Sequence, residues 1–194
     1  MLDPRNSLDD SNRLRAASNF LGILNDIKRR PEDAAKELDN FDFHIFGGLK
    51  SDIERYTSQS LNDNIYFHGF KQQNELPFLR SKCDILLMPY QKQVSIGIEL
   101  VDTSRWMSPM KMFEYMSSSV PIISSNLPVL REVLVDNKNS ILVEPDSLSE
   151  WSNALDMLLD SADLSKRISE NSYNDYLNNY TWNIRAQGIL DLFP

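Results

Sequence analysis

SPMKMFEYMSSSVPIISSNLPVLREVL, from Ser108 to Leu134, joins two kinds of pattern within one short stretch. Ser108 is a good N-cap residue, and Pro109 suits the first helical position, where its missing N–H costs nothing. These residues predict a helix over Pro109 to Ser117. VPIISS, Val120 to Ser125, then reads as a short strand without polar alternation at its apolar end. That is the pattern of a strand covered on both faces, as in a parallel sheet. A further helix is expected from about Pro128. Helix, buried strand and helix in this order are the repeating unit of an α/β fold.

The same alternation extends outward. Upstream, CDILLMPY (Cys83 to Tyr90) is apolar nearly throughout, and QQNELPFLRSK before it reads as helical despite Pro77. NIYFHGF (Asn64 to Phe70) and FDFHIFGG (Phe41 to Gly48) are two more strands, separated by a polar helix near Ser51 to Gln59. From Asn12 to Arg30, Leu14, Ala17, Phe20, Leu21, Leu24 and Ile27 recur at helical spacing. Downstream, SILVEP (Ser140 to Pro145) is another strand candidate. Ser147 to Leu192 reads as helices, with Leu148, Trp151, Leu155, Leu158 and Leu159 on one face and Trp151 and Trp182 as core anchors. The expectation is a doubly wound, Rossmann-like parallel sheet with helices on both faces and a helical C-terminus. One domain spans 1–194: irregular over 1–11, an α/β core over 12–145 and C-terminal helices over 146–194.

The 194 residues suffice for one core, and 41% hydrophobic with 25% charged residues is ordinary for a globular chain. A net charge of −8 disfavours nucleic-acid or anionic-membrane surfaces. Cys83 is the one cysteine, so an intramolecular disulfide and a cysteine-rich metal site are excluded; a buried thiol at a strand start is the simplest reading. His44 and His68 are expected as partly buried strand residues two strands apart, without an acidic cluster of metal-site spacing. The N-terminal residues lack a signal-peptide core, and no apolar run is long enough to span a bilayer, so a cytoplasmic location is expected. Neither G-x-G-x-x-G nor G-x-x-x-x-G-K-[ST] occurs.

In open α/β sheets ligands bind beyond the carboxyl ends of the strands. There the first turn of the Pro109 helix presents free N–H groups and the positive end of its dipole, a phosphate site to which Lys111 adds charge. Glu114, further along the helix, is placed to accept hydrogen bonds from a vicinal diol. Taken alone, a Ser-Pro helix start with a surface Lys and Glu is structural more often than not. The irregular segment 91–107 is long enough to suggest function.

The ordered set FHIFGG, NIYFHGF, CDILLMPY, SPMKMFEYM and VPIISSNLPVLREVL resembles retaining GT-B glycosyltransferases of the GT4 family, from Phe41 to the C-terminus. The resemblance implies the C-terminal, nucleoside-diphosphate-sugar-binding half of that fold. It implies that Ser108, Pro109, Met110 and Lys111 lie at the donor diphosphate, and that Glu114 holds the ribose as the second glutamate of the family's pair. Phe70, Lys71, Pro89 and Tyr90 fall where the family meets the base and nucleoside. The first glutamate of the pair falls at Trp106, with Glu99 and Asp102 as nearby acids, and Ser117-Ser118-Ser119 replaces a small Ala-Ala-Gly turn. The family's front strand, with its loop Arg and Lys, has no counterpart before Asn12, although Arg5, Arg13 and Arg15 are close in sequence.

The expected activity is transfer of a sugar from a nucleotide sugar to an acceptor with retention. The catalytic residues are left unassigned. No cofactor or metal is expected, since the donor loops carry no Asp-x-Asp. A separate N-terminal acceptor domain or subunit is an implied partner. Two alternatives stand beside this reading: a non-catalytic nucleotide-sugar-binding or interaction module, and a sugar-nucleotide epimerase of the same architecture.

Overall fold

The computed structural model describes residues 41–48, 50–59, 64–90, 92 and 110–192. The helix expected over Asn12 to Arg30, the cations Arg5, Arg13 and Arg15, the acids Glu99 and Asp102, Trp106, and the site candidates Ser108 and Pro109 lie outside the described residues.

The elements run β1 (Phe43–Phe46), α1 (Lys50–Gln59), β2 (Ile65–Gly69), α2 (Leu76–Arg80), β3 (Leu86–Met88), α3 (Met110–Met116), β4 (Ile122–Ser125), β5 (Ile141–Val143), α4 (Leu148–Asp160), α5 (Ala162–Asn179) and α6 (Trp182–Leu190). β1 pairs in parallel with β2, and β3, β4 and β5 form a second parallel ladder in that order. Gly47, at φ 110°, follows β1 in a conformation that side chains rarely adopt, and its N–H donates to Gly69 O at 2.8 Å. Pro77 falls in the first turn of α2, where the lost donor is harmless.

The strands show why two helical layers form. Met88, Ile122 and Leu142 face one side, packing with Met112 and Met116 of α3 and with Leu127, Leu130 and Leu134. Leu87, Ile123, Ile141 and Val143 face the other, packing with Trp151, Leu155 and Leu158 of α4. The alternation of neighbours along each strand is the period of two expected of a pleated sheet. Phe43 and Ile65, from β1 and β2, join the α4 side of this core, so α4 underlies both ladders. The architecture is parallel sheet flanked by helices, as the sequence pattern indicates.

Two local expectations fail. The segment after Pro128 forms only a 3₁₀ turn, Leu130–Glu132. Trp182 is not a core anchor: it is 68% exposed at the start of α6, whereas Trp151 is fully enclosed. α6 has no buried residue at all, because its apolar positions do not gather on one face. Cys83 is half-buried, three positions before β3, and its thiol lies 3.5 Å from Leu79 O. Burial first, and then the charge of Asp84, push that thiol above its usual pKa.

Candidate functional site

α3 is amphipathic in a way that divides its duties. Met112 and Met116, one turn apart, are buried in the core. Lys111 and Glu114, also one turn apart, share the opposite side and line a cavity of about 500 Å³. Pro89, at the carboxyl end of β3, and Phe46, at that of β1, contribute to the same wall. Three of the sequence candidates therefore meet at one cavity. Met110, at the head of α3, is 54% exposed and outside the lining.

The Glu114 carboxylate is held from two directions. Arg80 Nη1 donates to Oε2 at 3.1 Å, and Gln73 Nε2 donates to Oε1 at 3.1 Å. Arg80 Nε also donates to Ser118 Oγ at 3.0 Å. The Ser117 and Ser118 hydroxyls in turn donate to Glu114 O at 2.8 Å, closing the C-terminal turn of α3. An ionised carboxylate offers about four lone-pair positions, so two donors leave it able to accept a diol. A side chain pinned in this way is pre-oriented for such a contact.

Lys111 Nζ stands 5.8 Å from the centre of the Tyr90 ring, within cation–π range, which brings Tyr90 to the edge of the site although it does not line the cavity. Tyr90 is strapped to β4: its N–H donates to the buried Ser125 Oγ at 2.7 Å, and that hydroxyl donates to Tyr90 O at 2.8 Å. Phe70, 61% exposed, and Lys71 follow β2 and do not line the cavity. They are linked to it through the same segment's Gln73.

Sequence reasoning missed Arg80 and Gln73, whose shared partner Glu114 is 34 and 41 residues distant in the chain. Within the segment singled out after Tyr90, Lys92 lies 2.7 Å from Asp146 Oδ1 and 3.9 Å from Glu144 Oε2 beyond β5, partners that the sequence did not indicate. The hydrogen bond to Asp146 holds Lys92 above its usual pKa and Asp146 below its own. The two histidines correct an expectation. They sit on neighbouring strands, both exposed, with His44 Nδ1 2.8 Å from His68 Nε2. Their rings continue a stack from Tyr66 to Phe46. Partial screening from water, then the charges of His44 and Lys71, lower the His68 pKa. Among the described residues, no group of three or more His, Cys, Asp or Glu side chains is placed to hold a metal ion. No described helix is long and apolar enough to cross a membrane.

Comparison with known proteins agrees with this architecture. An uncharacterized glycosyltransferase of Methanocaldococcus jannaschii is 23% identical over 163 residues, which are 83% of this chain and 42% of that protein. The chain thus spans less than half the length of that relative. The structure of Anabaena Alr3699/HepE in complex with UDP superposes with a TM-score of 0.66 at 15% identity, covering 90% of this chain and 44% of that one. The C-terminal domain of the glycosyl transferase group 1 family protein LpcC from Francisella tularensis gives 0.55 at 22% identity, over 86% of this chain and 80% of that domain. Residues 11–175 match the family model described as glycosyl transferases group 1, and the chain belongs to that family.

Proposed function

We propose that this chain is the donor-binding half of a retaining, GT4-type glycosyltransferase that takes a nucleoside-diphosphate sugar. The observation that carries the reading is the convergence of Lys111, Glu114 and Pro89 on one cavity at the strand ends. Ser108 to Lys111 contact the diphosphate, Glu114 accepts the ribose hydroxyls, and Phe70, Lys71, Pro89 and Tyr90 flank the base. Lys111 and the N–H groups at the helix start stabilise the leaving diphosphate as its charge develops, without a metal ion. The acceptor is bound by a separate N-terminal domain or subunit, in the cytoplasm. The proposal draws support from the family match and from HepE, whose structure contains UDP.

The test is a calorimetric titration of the chain with UDP, GDP and ADP, followed by their sugars. Saturable binding of one nucleotide, weakened about tenfold or more in Lys111→Ala, is expected for loss of a charged contact. No binding by the folded chain refutes a working donor site. A second reading is a nucleotide-sugar-binding module without transfer activity. Binding without transfer or hydrolysis by the isolated chain separates the two.

A further inference from the structure

The ladder of β1 and β2 breaks its own register. Phe43, His44 and Ile45 pair in turn with Ile65, Tyr66 and Phe67, but Phe46 pairs with Gly69. His68 is therefore the extra residue of a β-bulge, a device that is rare in parallel pairs and that re-aims a side chain. Gly69 follows it at φ 67°, a left-handed backbone that glycine takes without strain. Alternation puts Phe43, Ile45, Ile65 and Phe67 on the core side of the ladder, and His44, Phe46, Tyr66 and His68 on the other.

On that second side the bulged His68 meets His44. Nδ1 of His44 and Nε2 of His68 are 2.8 Å apart, and the ring centres are 5.1 Å apart with planes inclined by 17°, so the two rings meet edge to edge. Each imidazole has a further aromatic neighbour: Tyr66 beside His44 at 5.1 Å, and Phe46 beside His68 at 4.6 Å. These contacts hold both rings in place while both residues stay exposed to solvent.

Water competes for an exposed N–H···N bond, so the pair contributes little to folding as a hydrogen bond. Neutral imidazole is, however, the commonest metal ligand among side chains. Bonds of about 2.0–2.1 Å put two nitrogens of one ion about 2.9 Å apart at a right angle and about 3.3 Å apart at the tetrahedral angle. The 2.8 Å separation is close to both, and a small outward swing of two exposed rings supplies the difference. One of the nitrogens carries the proton of the hydrogen bond. Moving that proton to the other nitrogen of its ring frees both lone pairs with no change in charge.

We propose that His44 Nδ1 and His68 Nε2 together hold one divalent transition-metal ion of the nickel, copper and zinc class, which clamps β1 to β2. Water or another small donor completes the coordination, since among the described residues no third His, Cys, Asp or Glu joins the pair. Imidazole selects this class over Mg²⁺ and Ca²⁺, which take oxygen ligands. The charge of Lys71 reaches His68 and opposes any cation, so only a metal with strong affinity for nitrogen is retained. The donor-binding reading invokes no metal ion, and the two stand or fall separately.

The experiment is a Zn²⁺ titration of the full, tag-free, ¹⁵N-labelled chain, followed by NMR through the imidazole nitrogens. The sequence contains two histidines, so the spectrum holds two rings. The expected result is that His44 Nδ1 and His68 Nε2 shift together and saturate at one equivalent, while Mg²⁺ at the same concentration moves neither. Tm should rise with zinc concentration, because the folded ladder alone brings the two ligands together. His44→Gln and His68→Gln, exposed replacements that keep the fold by circular dichroism, should each weaken binding by at least about the tenfold that loss of an outer-shell partner costs. The proposal is overturned if millimolar zinc shifts neither nitrogen, or if the shifts fall on His44 Nε2 and His68 Nδ1 instead. Unchanged affinity in either single variant also overturns it, since each histidine would then bind alone.

Discussion

Replacing Arg80 by methionine removes the cation that holds Glu114 while keeping most of the apolar stem. At 3.1 Å, the bare attraction is about 5 kcal/mol for an effective dielectric of roughly 20. Desolvation offsets most of it. The side chains are 12% and 23% exposed, between the exposed pairs worth about 0–1 kcal/mol and the buried pairs whose breakage costs about 3–5 kcal/mol. A loss of about 2 kcal/mol follows, including the Arg80–Ser118 hydrogen bond. For a domain of this size that lowers Tm by about 4–8 °C. Urea unfolding measures it directly, as a lower midpoint at unchanged m. A cycle with Glu114→Gln should return a coupling of about 1–2 kcal/mol, since the two residues touch. A cycle additive to within about 0.3 kcal/mol would refute the inference that Arg80 positions Glu114.

Three other outcomes follow from particular contacts. Trp151→Ala should cost about 3–5 kcal/mol by emptying the α4 face of the core, while Trp182→Ala, on an exposed position, should stay within about 0.5 kcal/mol in the same urea assay. Ser119 holds φ 54°, where a Cβ is disfavoured, so Ser119→Gly should stabilise by about 0.5 kcal/mol net of glycine's entropy; a destabilisation contradicts the strain assigned to this corner. The pKa of His68 lies below the ordinary 6.5, so just beneath that pH the unfolded chain binds more protons than the folded one. Its contribution is complete well above pH 6.5 and is lost as pH falls through about 6.5 toward the lowered folded-state value, so stability should decline on acidification below neutrality and His68→Gln should flatten that slope; an unchanged slope removes His68 as its source.

The strands were legible because their apolar runs are short and bounded by polar or glycine punctuation, and β3 and β4 are too apolar for half-exposed strands. α3 was legible because Ser108 and Pro109 mark a helix start, and because its buried methionines alternate with polar residues by turns. What failed was tertiary. Nothing local announces that Arg80 and Gln73 reach Glu114 from 34 and 41 residues away. Pairing of His44 with His68 depends on which strands are neighbours, a matter of topology. Trp182 misled because a large aromatic is usually buried, and its helix has no apolar face to dock.

The account rests on Glu114 as the ribose ligand, and the most direct measurement compares nucleotides with and without the diol. The chain should bind its preferred nucleoside diphosphate about 10–100-fold more tightly than the 2′,3′-dideoxy analogue, the worth of hydrogen bonds to a charged acceptor. Glu114→Ala should lower affinity for the native nucleotide to the level of the analogue and erase the preference, with the fold intact by circular dichroism. A preference for the diol that survives in Glu114→Ala would contradict the account.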